Sequence, residues 1–497
     1  MLKKIGVSVC FVVCVLFMQV SGFATNEHLN YGPFASIEEY ENGAKCIYTA
    51  DDLMKIKDDL TASYVLMNDI DMSDLNSDEW TPIGDLAEPF TGVFDGQGYS
   101  INNLKITTDN VCMGLFGAVD KAEIKNLGLK NVSISSEYTL NTDDRVSVYA
   151  GGLCGNANNT NITNCNVSGM IDVSMSSKSY LSNVYAGGLC GYFSGSMENS
   201  YNEASVKASS TSHGTAHTGG ICGESGRFEK CYNAGKVTTI ASRNSNSAIA
   251  GGICGSYGQF VNCYNVAEVS AYNPSATTPL VGGTIIPFST AGGIGGHMAE
   301  SIVNCYNIGA VYSVCNRTFK SVAYGGSICG TIENSATVLN SFWNIDVLPD
   351  VNGSKTEKGI GEGEDNTIAY STEKMKNSLN FNEWDFEYIW GVNEDINNGY
   401  PSLQDFYNRS PEILSKTSVE NGGVMVYVNC ENHNKADLIV VVSDNTSKVE
   451  KILIKPVRQS GSVFFENLKV TENTIVDAML WNKDKPMFPL CIKQRLN

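Results

Sequence analysis

Apolar positions through the middle of the chain fall in short β-branched or aromatic runs, broken by glycine and asparagine, without a 3.6-residue period. One phrase recurs: Ala150-Gly-Gly-Leu-Cys-Gly155, Ala186-Gly-Gly-Leu-Cys-Gly191, Thr218-Gly-Gly-Ile-Cys-Gly223 and Ala250-Gly-Gly-Ile-Cys-Gly255. Ala291-Gly-Gly-Ile-Gly-Gly296 has lost its cysteine at Gly295, and Tyr324-Gly-Gly-Ser-Ile-Cys-Gly330 reads as one residue longer at Ser327. A second phrase follows most copies, as Asn262-Cys-Tyr-Asn265 and Asn304-Cys-Tyr-Asn307, with variants at Lys230-Cys-Tyr-Asn233, Asn199-Ser-Tyr-Asn202 and Asn340-Ser-Phe-Trp-Asn344.

The glycine before the apolar residue recurs at Gly114, Gly152, Gly188, Gly220, Gly252, Gly293 and Gly326, in steps of 38, 36, 32, 32, 41 and 33 residues. Periods of this size mark a solenoid, a propeller or an array, each unit too small to bury its own apolar face. A propeller blade needs four strands and hairpin turns in about 40 residues. These units offer two or three brief strands and a polar insertion of variable length, so the pattern predicts an all-β chain built around a right-handed parallel β-helix. Coils about 4.8 Å apart stack equivalent side chains into ladders: Leu153, Leu189, Ile221, Ile253 and Ile294 in one, Cys154, Cys190, Cys222 and Cys254 in a second. Asn202, Asn233, Asn265, Asn307 and Asn344 form a third, bonding through their amides. Glycines turn corners that a Cβ would block. Function on such a scaffold is expected in the Ser/Thr/Asn-rich insertions at 133–148, 170–184, 206–217, 237–249, 269–290 and 311–323.

The flanks break the period. Residues 1–24 read as a secretory signal: Lys3 and Lys4, an apolar run from Ile5 to Val20, then Gly22-Phe-Ala24. Residues 25–89 form an N-terminal capping segment, in which Thr49-Ala-Asp-Asp52 is a capping box opening a helix over 50–60 and Tyr64–Met67 is a strand. The coils run over 90–345. Residues 346–410 supply a C-terminal cap with Trp384, Phe386, Trp390, Tyr400 and Leu403, and a short helix from Ser371. From 411 to 497 the apolar residues alternate, as at Val424–Val428, Leu438–Val442, Lys451–Ile454, Ser462–Phe465 and Ile475–Trp481, which predicts an antiparallel β-sandwich.

Composition adjusts this picture. Removing residues 1–24 takes away two lysines and no acids, so the formal charge moves from −19 to −21. That repels nucleic acid and anionic membranes, and it also keeps an exported surface soluble. Of 16 cysteines, 14 lie beyond the signal. An even count in an exported chain invites disulfides, but most of these cysteines hold equivalent repeat positions among Leu, Ile and Val, which favours buried, reduced thiols.

The Gly-Leu/Ile-Cys-Gly copies resemble the GLUG motif (Gly, Leu, any residue, Gly) of long extracellular bacterial proteins. Asn68-Asp-Ile-Asp71, Trp80-Thr-Pro-Ile-Gly84 and Phe94-Asp-Gly-Gln-Gly98 resemble its leader, and Trp390 through Asn398-Gly-Tyr-Pro-Ser-Leu403 its close. The resemblance covers about residues 46–405. It implies a right-handed parallel β-helix on a secreted or surface protein, often adhesin-like. The tail, Ala478-Met-Leu-Trp-Asn482 with Pro489-Leu490, is similar to a β-sandwich module that closes many exported clostridial proteins, which points to a Gram-positive anaerobe.

Catalytic chemistry finds little purchase. None of His28, His213, His217, His297 and His433 belongs to a His-Glu-x-x-His zinc site, and His213 and His217, four apart, sit in a polar insertion. Acids gather at Asp69, Asp71, Asp95, Asp143, Asp144, Glu362, Glu364 and Asp365; Asp143-Asp-Arg145 is the best catalytic pair and reads as solvated surface. Asn68, Asp69 and Asp71 could hold a structural calcium but lack the spacing of a complete shell. Tyr201, Tyr232, Tyr264 and Tyr306 read as packing at a coil corner, or as a sugar-binding strip if they face outward. No catalytic, cofactor or metal residue is assigned. The expected function is a non-enzymatic, secreted or cell-surface protein binding an extracellular protein or glycan; a polysaccharide-processing enzyme and a structural spacer are the alternatives.

Overall fold

The computed structural model describes residues 43–407, except 76–79, 143, 178–181, 212–213, 242–246, 274–287, 316–321 and 395, together with strand segments between 412 and 495. The signal segment, His28, His213, His433 and Asp143 lie outside the described residues. Two compact units divide the chain, one over residues 36–403 and one that contains 404–497.

In the first unit every repeat makes one coil with three faces, one or two strands to a face. A leading strand such as Val148–Gly151 ends in the Gly-Gly-Leu/Ile corner, a middle strand such as Cys154–Thr163 follows, and a trailing strand such as Asn166–Ser177 completes the turn. Each strand pairs in parallel with its equivalents one coil below and above, so that Ala150 faces Ala186 and Cys190 lies between Cys154 and Cys222. The chain is therefore a parallel β-helix, as the period predicts. Trailing strands extend into segments expected to be insertion: Gly128–Leu140, Asn166–Ser177 and Val269–Asn273 are strand throughout. Alternation of Ile171, Val173 and Met175 inward with Asp172 and Ser174 between them carries the strand through that polar composition.

The core is a set of ladders. Leu153, Leu189, Ile221, Ile253, Ile294 and Ile328 are buried, and their amides bond from coil to coil. Removing each such side chain from water is worth about 1.5–3 kcal/mol. Asn202, Asn233, Asn265 and Asn307 join through Nδ2–Oδ1 bonds of 2.9, 2.8 and 2.8 Å, and each also donates to the carbonyl two residues on. Asn344, expected as the fifth rung, is out of register. Asn340-Ser-Phe-Trp-Asn344 carries one more residue than the other phrases, so Trp343 stands opposite Asn307, and Asn344 turns to Thr372 and Tyr400.

The same shift explains Ser327. It is not an inserted residue: Ala291 pairs with Gly325, Gly292 with Gly326 and Gly295 with Cys329, so Ser327 stands where lower coils have their second glycine. A Cβ at Gly252 or Gly293 would fall within 2.7 or 2.2 Å of the ladder asparagine beside it. At Ser327 that asparagine is gone, and the Ser327 hydroxyl instead accepts from Asn307 Nδ2 at 3.4 Å. Gly295, which lost the cysteine, keeps its pairing with Cys254.

The corner into the trailing strand is held by residues at positive φ: Asn126, Asn164, Asn199, Lys230, Asn262, Asn304 and Asn340 lie between 47° and 54°. Asparagine tolerates this left-handed conformation better than other residues with a Cβ, which is why the phrase opens with it. Lys230 breaks the rule. Lys230→Asn is expected to stabilise the unit by about 0.5–1 kcal/mol, read as a higher denaturation midpoint; an unchanged or lower midpoint refutes the conformational account of the column.

Coil stacking starts before residue 90: Lys45–Ile47, Ser63–Leu66 and Val93–Asp95 pair in parallel on the middle face, and Ile70–Asp71 pairs with Ser100–Asn102 on the trailing one. Thr49 and Asp52 make the capping box, opening an α-helix over Ala50–Met54 that tightens to 3₁₀ over Lys55–Asp58. After the last coil, Trp384 and Trp390 stack at 4.3 Å between centroids and lie against Tyr306 at 6.1 and 5.9 Å. The second unit holds a three-stranded and a four-stranded antiparallel sheet, with alternate Leu438, Val440 and Val442 buried, consistent with a sandwich. Its strand Glu412–Val419 was not among those expected.

Candidate functional site

Four of the acids that stand out in the sequence are occupied by backbone amides. Asp95 accepts from the Gln97 amide and Asn126; Asp365 accepts from the Gly359 and Ile360 amides. Asp69 takes the Ser100 amide and hydroxyl, and Asp71 takes the Ser73 amide and Asn103. The Asn103 amide holds the Asp71 carboxyl below its ordinary range. Asn68 spends its amide on the Tyr48 and Asp69 carbonyls. These donors occupy oxygens a cation would use, and among the described residues no group of three or more His, Cys, Asp or Glu is placed to hold a metal ion. Asp144 and Arg145 are exposed.

Tyr201, Tyr232, Tyr264 and Tyr306 form a column stacked at 4.7, 4.9 and 5.1 Å with interplanar angles of 5–7°. Rings stacked this way present their edges outward and offer no face between coils to a sugar. The upper two are buried beneath Trp390. Packing, the first reading, describes them.

The cluster that sequence reasoning missed lies across the Gly-Gly-Leu/Ile corner. The outward residue of each leading strand and the residue after the Cys-Gly pair flank that corner, and stacking makes them two adjacent columns. Tyr149, Tyr185 and His217 are in register on the leading face. Tyr192, Glu224, Ser256 and His297 are in register on the middle face. The columns touch: Tyr149 packs edge-on against Tyr192 at 6.3 Å, and His217 Nδ1 lies 3.0 Å from Ser256 Oγ and 3.4 Å from Glu224 Oε2. Tyr149 and Tyr185 stack at 5.3 Å, Tyr185 and His217 at 4.8 Å. His297 Nδ1 meets Thr331 Oγ1 at 2.7 Å. Within a repeat the two columns are seven positions apart, as His217 and Glu224 are, but successive members of one column lie 32 or more positions apart, so only coil register assembles the strip.

Burial sets its electrostatics. Glu224 is pushed up to about 7, with the Tyr185 hydroxyl pulling the other way, while burial pulls His217 down to about 3 and His297 to about 4. The Glu224–His217 contact has the spacing of an ion pair, yet burial of both groups favours a neutral imidazole beside a carboxyl poised between its two forms. Tyr149, Tyr185 and Tyr192 are raised by burial, with Glu224 adding to each. The arrangement can donate and accept hydrogen bonds along one line, and Glu224 can give or take a proton near neutrality.

The thiols run inside the coils, one column at the start of the middle strands and one at the corner into the trailing strands. Cys154, Cys190, Cys222, Cys254 and Cys329 make one buried column, Cys165, Cys231, Cys263 and Cys305 another. Burial lifts Cys165 and Cys329 to about 12 and Cys190, Cys222, Cys231 and Cys263 well above their ordinary value. All nine are buried away from solvent, so alkylation by iodoacetamide at pH 8, mapped by peptide mass spectrometry, should leave them unlabelled in the folded chain and label them in denaturant; labelling of either column in the folded chain would refute the assignment.

A family model described as the GLUG motif matches residues 147–174, the coil that carries Tyr149 and Cys154. The chain is 34% identical over 123 residues to halomucin of Haloquadratum walsbyi, a match covering 22% of this chain and 1% of halomucin. It is 29% identical over 150 residues to a protein of Evansella cellulosilytica provisionally named a Gly-rich membrane protein, covering 29% of this chain and 17% of that one. A crystal structure of a protein from Bacteroides ovatus, provisionally named an immunoglobulin A1 protease, superposes with a TM-score of 0.41 at 18% identity, over 75% of this chain and 95% of that one. The chain thus matches only small fractions of the two sequence relatives. No helix among the described residues is long and apolar enough to cross a membrane. The chain is a repeat-built β-solenoid with a GLUG motif in one of its coils.

Proposed function

We propose that this chain is a secreted or cell-surface β-solenoid that binds an extracellular partner, protein or glycan, along the strip beside its Gly-Gly corners, in the manner of an adhesin. The strip carries the reading: Tyr149, Tyr192, Glu224 and His297 are half-buried and lie in line, backed by buried Tyr185, His217 and Ser256. The leader at residues 1–24, the acidic balance and the short likeness to halomucin support export. The test is capture of the chain from residue 25 onward on matrix proteins, mucin and plant or microbial glycans. Saturable binding supports the reading, and absence of binding across the panel defeats it.

A polysaccharide-processing enzyme is the second reading, because a carboxyl held near neutrality beside an imidazole is what a general acid requires. Hydrolysis by two carboxylates needs the second within about 5–9.5 Å. Along the Glu224 column the next acid is Glu362, beyond Ser256, His297 and Thr331, roughly 19 Å away over four coil steps, and Glu333, which acts on Tyr257 together with Glu224, stands outside both columns of the strip. Binding is therefore preferred. New reducing ends or unsaturated products from any glycan in the panel would reverse that preference.

A further inference from the structure

We propose that the strip centred on Glu224 binds a neutral glycan laid along the solenoid axis, with the half-buried Glu224 carboxyl, in contact with His217, as its central hydrogen-bonding group. This rests on the reading of the chain as an extracellular binding protein.

Charge selects the ligand class. Neither column contains lysine or arginine between Tyr149 and Thr331, and the chain is strongly acidic, so a polyanion meets repulsion and no local cation. Glu224 is the one acid in either column over the same stretch, so a polycation finds no row of anions. A peptide adding as a strand needs an open edge, and the strands bearing Glu224 and His217 are paired on both sides. What fits is an uncharged chain with donors and acceptors at short intervals. One coil step is about 4.8 Å, comparable to the length of one pyranose unit, so successive sugars would meet successive coils.

Glu224 is the pivot because of its neighbours. Tyr185 and His217 face it from leading strands, Tyr192 and Ser256 from the middle strands on either side, and Tyr257 adds a further phenol within electrostatic reach. No cation stands among them to favour its ionised form. A ligand closing over Glu224 strips the remaining water and favours the protonated form further.

Calorimetry of the chain with cellohexaose, mannohexaose and chitohexaose, and with polygalacturonate as the anionic counterpart, tests the proposal at pH 6 and 8. At least one neutral oligosaccharide should bind and polygalacturonate should not. Affinity should fall roughly tenfold from pH 6 to 8, since near one part in ten of Glu224 is then protonated. Glu224→Gln, fixed in a neutral state, should bind roughly tenfold tighter than the wild type at pH 8, and Tyr192→Ala should weaken binding at least tenfold, whereas Asp172→Asn on the trailing face should match the wild type. Neutral-glycan binding insensitive to both strip substitutions places the glycan elsewhere and overturns this site while sparing the general reading. Affinity that rises with pH overturns the protonated donor, and binding of polygalacturonate or proteins alone overturns the ligand class. No binding to these oligosaccharides or to the wider panel defeats both.

Discussion

Gly220→Ala is expected to cost about 4–6 kcal/mol of stability, enough to leave a marginal domain largely unfolded. The reason is distance, not backbone freedom. A Cβ there would stand 2.1 Å from the Gly252 carbonyl oxygen and 2.3 Å from Asn233 Cγ. The first contact is with the backbone of the next coil, which cannot retreat without parting the Ile221–Ile253 hydrogen bond beside it. The second displaces Asn233 from a site where it accepts from Asn202, donates to Asn265 and holds both the carbonyl and the amide of Gly235. Each buried group so orphaned costs about 1–3 kcal/mol. Gly128→Ala is the control: its Cβ would meet Asn166 and Ser100 at an ordinary 3.4 Å, and the change should stay within about 0.5 kcal/mol. Denaturant midpoints of the two variants give the comparison. Equal tolerance would mean that the coils can separate at the corner, against the packing described above.

That pairing of glycine with asparagine shows what the sequence makes legible. Period, parallel stacking and the aliphatic, thiol and amide ladders follow from local phrases, because each phrase repeats in the same position and a ladder is that repetition in space. The thiols look like small apolar fillers, yet Cys222, Cys254 and Cys329 also donate to the carbonyl two residues on, at 3.1 Å, a role that a residue type alone does not announce. Where one coil differs from the rest, spacing misleads. Ser327 reads as an insertion until the pairing of Gly292 with Gly326 is known, and Asn344 reads as a rung until Trp343 takes its place.

The strip was not legible for a related reason. Tyr192, His217 and Glu224 occupy the variable positions of their repeats, so nothing recurs to mark them; only the tyrosine of Val148-Tyr-Ala150 and Val184-Tyr-Ala186 repeats. His217 stood out only through its spacing from His213, a relation with no part in the strip, where its contacts are Glu224 and Ser256. Repetition thus reveals the scaffold, and departures from repetition, brought side by side by the coil register, form the candidate site.

Glu224→Gln is expected to stabilise the solenoid by about 3 kcal/mol at pH 8 and by close to nothing at pH 4.5. Burial raises the folded Glu224 from 4.5 to about 7, so its contribution is fully present below pH 4.5 and is lost as pH rises toward and through 7. Glutamine does not titrate, and the gap between variant and wild type should therefore open across that window. The buried histidines act in the opposite sense. Their folded values of about 3 and 4, against 6.5, give stability that is present above pH 6.5 and lost as pH falls through the folded values. Between pH 4.5 and 6.5 two histidines oppose one carboxyl, so the wild type should still gain stability with pH over that interval and the variant should gain faster. Denaturation midpoints at pH 4.5, 6 and 8 separate the two protonation schemes for the 3.4 Å contact. If Glu224 were ionised and paired with a protonated His217, glutamine would leave a buried imidazolium without its counter-charge, and the variant would be the less stable protein at pH 8. A variant whose advantage over the wild type opens only as the pH rises fits the neutral pair, in which Glu224 is free to donate to a bound glycan.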